Sequence, residues 1–148
     1  VIKLRKEFVL AVCVLAFLLG VASTVAVMQW TQRIPSSARV KAVGVGIYKD
    51  INFTVSVTQI DWGIVEPGET KNYSAYIVNK SNVPITLNMT TEDWAPANAS
   101  NFITMTWNYN GAAIPVGGYA LVTFVLSIDP ATSGIDAFSF TIVVVGSG

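Results

Sequence analysis

From Arg39 to the C-terminus the chain alternates apolar and polar residues with a period of two, and no stretch carries a helical period. Successive side chains of a strand point to opposite faces, so such runs describe half-buried β-strands. The runs cover residues 39–48, with Gly44 and Gly46 inside, and 52–58, with Phe53, Val55 and Val57 on one face. Ile60, Trp62 and Ile64 continue that alternation. Further runs place Tyr73, Ala75 and Ile77 on one face, then Ile85, Leu87 and Met89, then Ile103, Met105, Trp107 and Tyr109. The last two carry Val122, Phe124, Leu126 and Ile128, and then Phe138, Phe140, Ile142 and Val144. Turn signals separate them: EPGE at 66–69, NKSN at 79–82, NYNG at 108–111, IPVGGY at 114–119 and DPATSG at 129–134. In EPGE, Pro at the second position and Gly at the third suit a type II turn.

Strands at roughly ten-residue spacing, bounded by turns, predict an all-β fold: a seven-stranded Ig-like antiparallel β-sandwich. Trp62, Trp94 and Trp107 are expected as core or rim packing. The final run, FSFTIVVV, is apolar on both faces. It is expected either as a central buried strand or as an edge that pairs with something else.

Before the β region lies a different object. Residues 8–32 carry no charge, and up to Trp30 they supply roughly 23 residues, enough to cross a hydrocarbon core as a helix. Lys3, Arg5 and Lys6 precede them. A cleaved signal peptide, an uncleaved signal anchor and a pilin-type leader all begin this way. A signal-peptide core runs about 7–15 residues, so the greater length here favours a transmembrane or signal-anchor helix. The expected organisation is a basic N-terminus and anchor helix (1–32), a short linker (33–38) containing Pro35 and two serines, and an ectodomain (39–148). The heavier basic flank on the N-terminal side orients the N-terminus inward. This predicts a single-pass protein of the cell membrane with its β domain extracellular and the lipid bilayer as its partner through the N-terminal helix.

Composition excludes several function classes. The chain has no histidine, and its one cysteine, Cys13, sits inside the apolar span. Histidine-containing zinc sites and Ser/Cys–His nucleophile arrangements are therefore absent from the β region. Charged residues are only 12% and the formal net charge is zero, with no basic cluster of the kind that nucleic-acid binding requires. Glu92-Asp93 and Asp50-x-Asn52 hold oxygen ligands but lack the spacing of a calcium loop, and they read as solvated turn acids. No catalytic, cofactor-binding or metal-binding residue is assigned, no cofactor is expected, and the protein is not expected to be an enzyme.

Five Asn-x-Ser/Thr triplets remain, at Asn52, Asn72, Asn79, Asn88 and Asn98. They are candidate N-glycosylation sites. On a strand, residues i and i+2 share a face, so Asn72/Ser74 and Asn88/Thr90 are expected to face solvent.

The stretch DWGIVEPGETKNYSAYIVNKSNVPITL, from 61 to 87, resembles the first half of small Ig-like domains of cell-surface proteins, of the adhesion-related CARDB kind. In these domains a PG turn leads into a strand ending in Asn, followed by a tight turn and a β-branched strand. The usual turn glycine is Asn82 here, a residue that tolerates φ > 0. WNYNGAAIPVGGYALVTFVLSIDP and FSFTIVVV resemble the closing strands of the same domains. The layout is similar to short archaeal membrane-anchored proteins carrying one such ectodomain. The resemblance implies a surface module with a structural or adhesive role, whose partners are other surface proteins or copies of itself, and it supplies no catalytic residue. The alternative is a subunit of an extracellular filament or lattice, assembled when the 39–48 strand or the C-terminal strand completes a neighbour's sheet.

Overall fold

The computed structural model describes residues 32–148; the expected anchor helix lies outside them. Among the described residues no helix is long and apolar enough to cross a membrane. Eight strands and one 3-10 turn follow in order: β1 (Ile34–Val43), β2 (Val45–Tyr48), β3 (Gln59–Val65), β4 (Thr70–Asn79), β5 (Thr86–Ala95), η1 (Ala97–Asn101), β6 (Ile103–Trp107), β7 (Tyr119–Ile128) and β8 (Phe138–Ser147). They form two four-stranded sheets, ordered β3-β1-β8-β5 and β2-β4-β7-β6. The sheets face each other across one apolar core. Phe124, Leu126 and Val122 of β7, Ile77 and Ala75 of β4, and Ile142 and Val144 of β8 are fully buried in it. Every connection crosses between the sheets except that from β6 to β7.

Eight strands replace the expected seven because one expected strand divides in two. The 39–48 run breaks at Gly44, whose φ of 72° is a left-handed conformation available to glycine. The chain leaves the first sheet there and enters the second as β2. The alternating 52–58 segment is not a strand. Asp50 folds it into a loop: its carboxylate accepts hydrogen bonds from the Thr54 amide (3.0 Å), the Val55 amide (2.8 Å) and the Thr54 hydroxyl (2.8 Å). Side-chain acceptors of this kind compete with the ladder for backbone donors.

The expected linker 33–38 is mostly strand. Ile34 and Ala38 are fully buried, and β1 pairs with β3 from Ile34–Val65 to Arg39–Gln59. Pro35 lacks an amide, but it sits at the second residue of the strand, where the loss is tolerated. The sandwich is not purely antiparallel either: β1 runs parallel to β8, from Ser36–Phe138 to Val43–Val145. Parallel neighbours need a long crossover, and here the rest of the domain supplies it. FSFTIVVV is therefore central, with β1 on one side and β5 on the other.

The edges are short or interrupted. β2 has 4 residues and β6 has 5. β3 pairs with β1 through a bulge at Ser36/Ser37 and carries Asp61. β5 carries Glu92 and Asp93 and breaks register between Glu92 and Ala95. At that break Asp93 takes φ 56° and Trp94 stacks on Phe140, with ring centroids 4.2 Å apart and planes 7° apart. Charges, bulges and short length are how sheets avoid edge-to-edge pairing.

The domain has two poles. At one lie the start of β1, the β3–β4 turn, η1 and the β7–β8 loop, where Gln32 Nε2 donates to the Ile135 carbonyl at 2.6 Å. At the other lie Gly44, the NKSN turn, the 108–118 loop and the end of β8.

Candidate functional site: an aromatic face beside a neutral pocket

On the outer face of the second sheet, three adjacent strands each place a tyrosine where a polar residue would ordinarily meet water. Tyr48 on β2 is the register partner of Tyr76 on β4, and Tyr76 pairs in turn with Leu121 on β7. Tyr119, two residues before Leu121, shares its face. The 49–55 loop adds Phe53, whose ring lies 5.6 Å from Tyr48, 6.4 Å from Tyr76 and 5.5 Å from Tyr119. Tyr76 and Tyr119 are 5.7 Å apart at 63°. These tilted and edge-to-face contacts suit the ring quadrupoles and fix the ring orientations.

The scaffold beneath this cluster is built for it. Phe53 has φ 57°, uncommon for a bulky residue, and its amide donates to the Asp50 carbonyl at 3.1 Å. The Asp50 carboxylate holds the rest of the loop. The Val55 amide, and then the Thr54 hydroxyl, keep its pKa below the usual carboxylate value. Lys80 lies over the Tyr48 ring at 5.2 Å, a cation–π contact. Gly46 leaves room for both: a Cβ there would come within 2.6 Å of Tyr48 Cε2 and 3.0 Å of Lys80 Cε.

Tyr119 is 47% exposed and Leu121 55%. Tyr119 also lines a pocket of about 290 Å³ between β7 and the 108–115 loop. Asn108, Asn110, Pro115 and Leu121 also line it, and no charged residue does. Asn108 Oδ1 accepts from the Thr123 amide (2.8 Å), and Asn110 Oδ1 accepts from the Ala112 amide (3.0 Å). With both carbonyl oxygens engaged, the two amide groups are oriented and retain donor capacity.

A second concavity, of about 460 Å³, crosses the outer face of the first sheet, where Arg39, Gln59, Asp93, Ser139 and Thr141 meet. Its acids are committed: Asp93 accepts from the Thr141 hydroxyl (3.2 Å), and at the neighbouring rim Asp61 accepts from the Gly63 amide (2.8 Å). Glu92, next to Asp93, faces Lys41 at 3.9 Å in an exposed pair. Among the described residues no three His, Cys, Asp or Glu side chains gather around a common point.

The five candidate asparagines do not form one site. Asn72 lies exposed on the outer face of the second sheet, and its triplet partner Ser74 is bonded to Thr123 Oγ1 at 2.9 Å. Asn88 and Thr90 lie exposed on β5, in the opposite sheet. Asn52 is exposed in the Asp50 loop and Asn98 in η1. Asn79 is different. It is 2% exposed, and its Nδ2, the atom that would carry a glycan, donates to the carbonyls of Val83 (2.8 Å), Ile114 (3.0 Å) and Pro115 (3.2 Å). Its Oδ1 accepts from the Ser81 amide (2.8 Å) and hydroxyl (2.7 Å). In the folded domain Asn79 is a clamp and not an accessible acceptor. It also organises the NKSN turn through Ser81, and Asn82 does not use the φ > 0 it can tolerate; among the described non-glycine residues only Phe53 and Asp93 have positive φ.

The aromatic face was not read from the sequence, although a signal was there: tyrosines at positions whose strand neighbours mark them as outward. No protein-family model matches the chain, and no curated protein matches it.

Proposed function

We propose that the chain is a membrane-anchored extracellular Ig-like module with an adhesive or structural role at the cell surface. The carrying observation is a preorganised aromatic cluster on the outer face of the β-sandwich, half-buried at Tyr48, Phe53 and Tyr76 and exposed at Tyr119 and Leu121. Soluble domains seldom display contiguous apolar surface without a partner for it. Tyrosine suits a contact surface because it offers a large rigid area with a polar tip. The apolar 8–30 segment and its basic flank support the anchor, the PG-turn and strand pattern supports the CARDB-like assignment, and four outward-facing Asn-x-Ser/Thr triplets support display outside the cell.

The filament alternative rested on the 39–48 strand or the C-terminal strand being free to complete a neighbour's sheet. β8 is paired on both sides, by β1 and β5, which weakens its part of that motive; the 39–48 run divides into the end of β1 and β2, and β2 is an edge strand of only 4 residues. Deleting the gene tests the choice. The module reading expects cells with an unaltered envelope by electron microscopy but weaker attachment; loss of a thread or lattice would speak for the filament.

A further inference from the structure

We infer that the pocket between Tyr119 and the 108–115 loop binds one ring of a neutral carbohydrate. The inference deepens the adhesive reading and rests on it, by naming the chemistry of what the surface holds. A sugar ring has an apolar C–H face and a rim of hydroxyls, so it needs a flat aromatic wall beside uncharged hydrogen-bonding groups. Tyr119 supplies the wall. Its ring is held by edge-type contacts with Phe53 at 5.5 Å and Tyr76 at 5.7 Å, so little freedom is lost when a ligand packs on it. Leu121 extends the apolar surface. Asn108 and Asn110 present amide donors whose orientation is set by their own carbonyl bonds.

Size and charge narrow the class. About 290 Å³ lies near the lower limit of ligand pockets, room for one ring and not for an extended chain. No cation lines it to receive a carboxylate, sulfate or phosphate, and Lys80 is turned onto Tyr48 instead. Acidic glycans therefore lose their charge-assisted contacts and gain nothing in exchange. The loop is firm enough to recognise shape: Asn79 ties the Ile114 and Pro115 carbonyls to the β4–β5 turn, and the Gly118 amide closes onto the Pro115 carbonyl at 2.8 Å.

The test uses the full chain in a detergent without a sugar headgroup, applied to an array of neutral and acidic oligosaccharides and proline-rich peptides, followed by calorimetry with the neutral oligosaccharides that retain it. The expected result is retention on neutral glycans with a dissociation constant of about 1 mM or tighter. Tyr119→Ala and Leu121→Ala should each weaken binding roughly tenfold, the exposed Leu121→Ala without lowering the melting temperature, while Asn72→Ala leaves binding unchanged. Leu121→Ala guards against misfolding of the tyrosine variant. Retention on acidic glycans or proline-rich peptides alone, no retention on any neutral glycan, or neutral-glycan binding that survives both substitutions would overturn the inference. External protease on intact cells, before solubilisation, reads the surface assignment separately, so the two can fail independently.

Discussion

Asn79 and Ile114 are 35 residues apart in sequence and joined by a buried hydrogen bond of 3.0 Å, from the Asn79 amide nitrogen to the Ile114 carbonyl. The backbone of Ile114 in turn exchanges two bonds with Ile85, at 2.7 and 3.0 Å. One side chain thus fastens the turn that follows β4 to the long loop that leads into β7. Replacing Asn79 by Ala would leave the Ser81 amide without its acceptor, at about 1–3 kcal/mol, and would remove the buried amide's bonds to the Val83, Ile114 and Pro115 carbonyls, each of which keeps one other donor. Asn79→Ala should lower stability by about 1–3 kcal/mol in urea unfolding, whereas Asn72→Ala and Asn88→Ala, both exposed, should stay within about 0.5 kcal/mol.

The same clamp predicts a modification pattern. Mass spectrometry of glycopeptides from native protein should find occupancy confined to Asn52, Asn72, Asn88 and Asn98, with Asn79 bare. Glycan on Asn79 in folded protein would contradict the buried amide.

Acid should loosen the aromatic face. Asp50 has its pKa lowered from 3.8, first by the Val55 amide and then by the Thr54 hydroxyl. A depressed carboxylate stabilises the fold above its unfolded value and loses that contribution as pH falls through the folded one. The Phe53 and Tyr119 ring resonances should therefore be constant from neutral pH down to about 4 and shift below it. Asp50→Asn should shift them at neutral pH.

Core substitutions should divide by mechanism. Phe124 is fully buried and packs beside Trp107, so Phe124→Ala should cost about 3–5 kcal/mol. Trp62 is also buried, but its indole N–H has no hydrogen-bond partner among the described residues. Trp62→Phe removes an orphaned donor along with some apolar area. The two effects oppose, and the net cost should fall below about 1.5 kcal/mol by thermal or chemical unfolding.

Much of the sandwich was legible because its signal is local. In β4, β7 and β8 the inward residues are those with period two, and EPGE forms its turn with Gly68 at φ 83° and the Glu69 amide bonded to the Glu66 carbonyl. What was illegible depends on distant partners. Ile34-Pro35-Ser36-Ser37 has the composition of a linker and becomes strand only because β3 and β8 flank it. Residues 52–58 alternate like a strand, yet one carboxylate at Asp50 overrides the pattern. The Asn79 triplet carries the same local information as the Asn72 triplet. Its role is set by carbonyls at Ile114 and Pro115, which no three-residue motif can report. The candidate site was missed for the same reason: Tyr48, Tyr76 and Tyr119 meet only when β2, β4 and β7 are placed side by side.

The most direct measurement is protease accessibility of the β domain on intact cells, combined with membrane fractionation. The account predicts that the full-length protein sediments with membranes and that external protease removes the domain while a cytoplasmic marker survives. A domain that stays protected until the cells are lysed, or that fractionates with the cytosol, would contradict it.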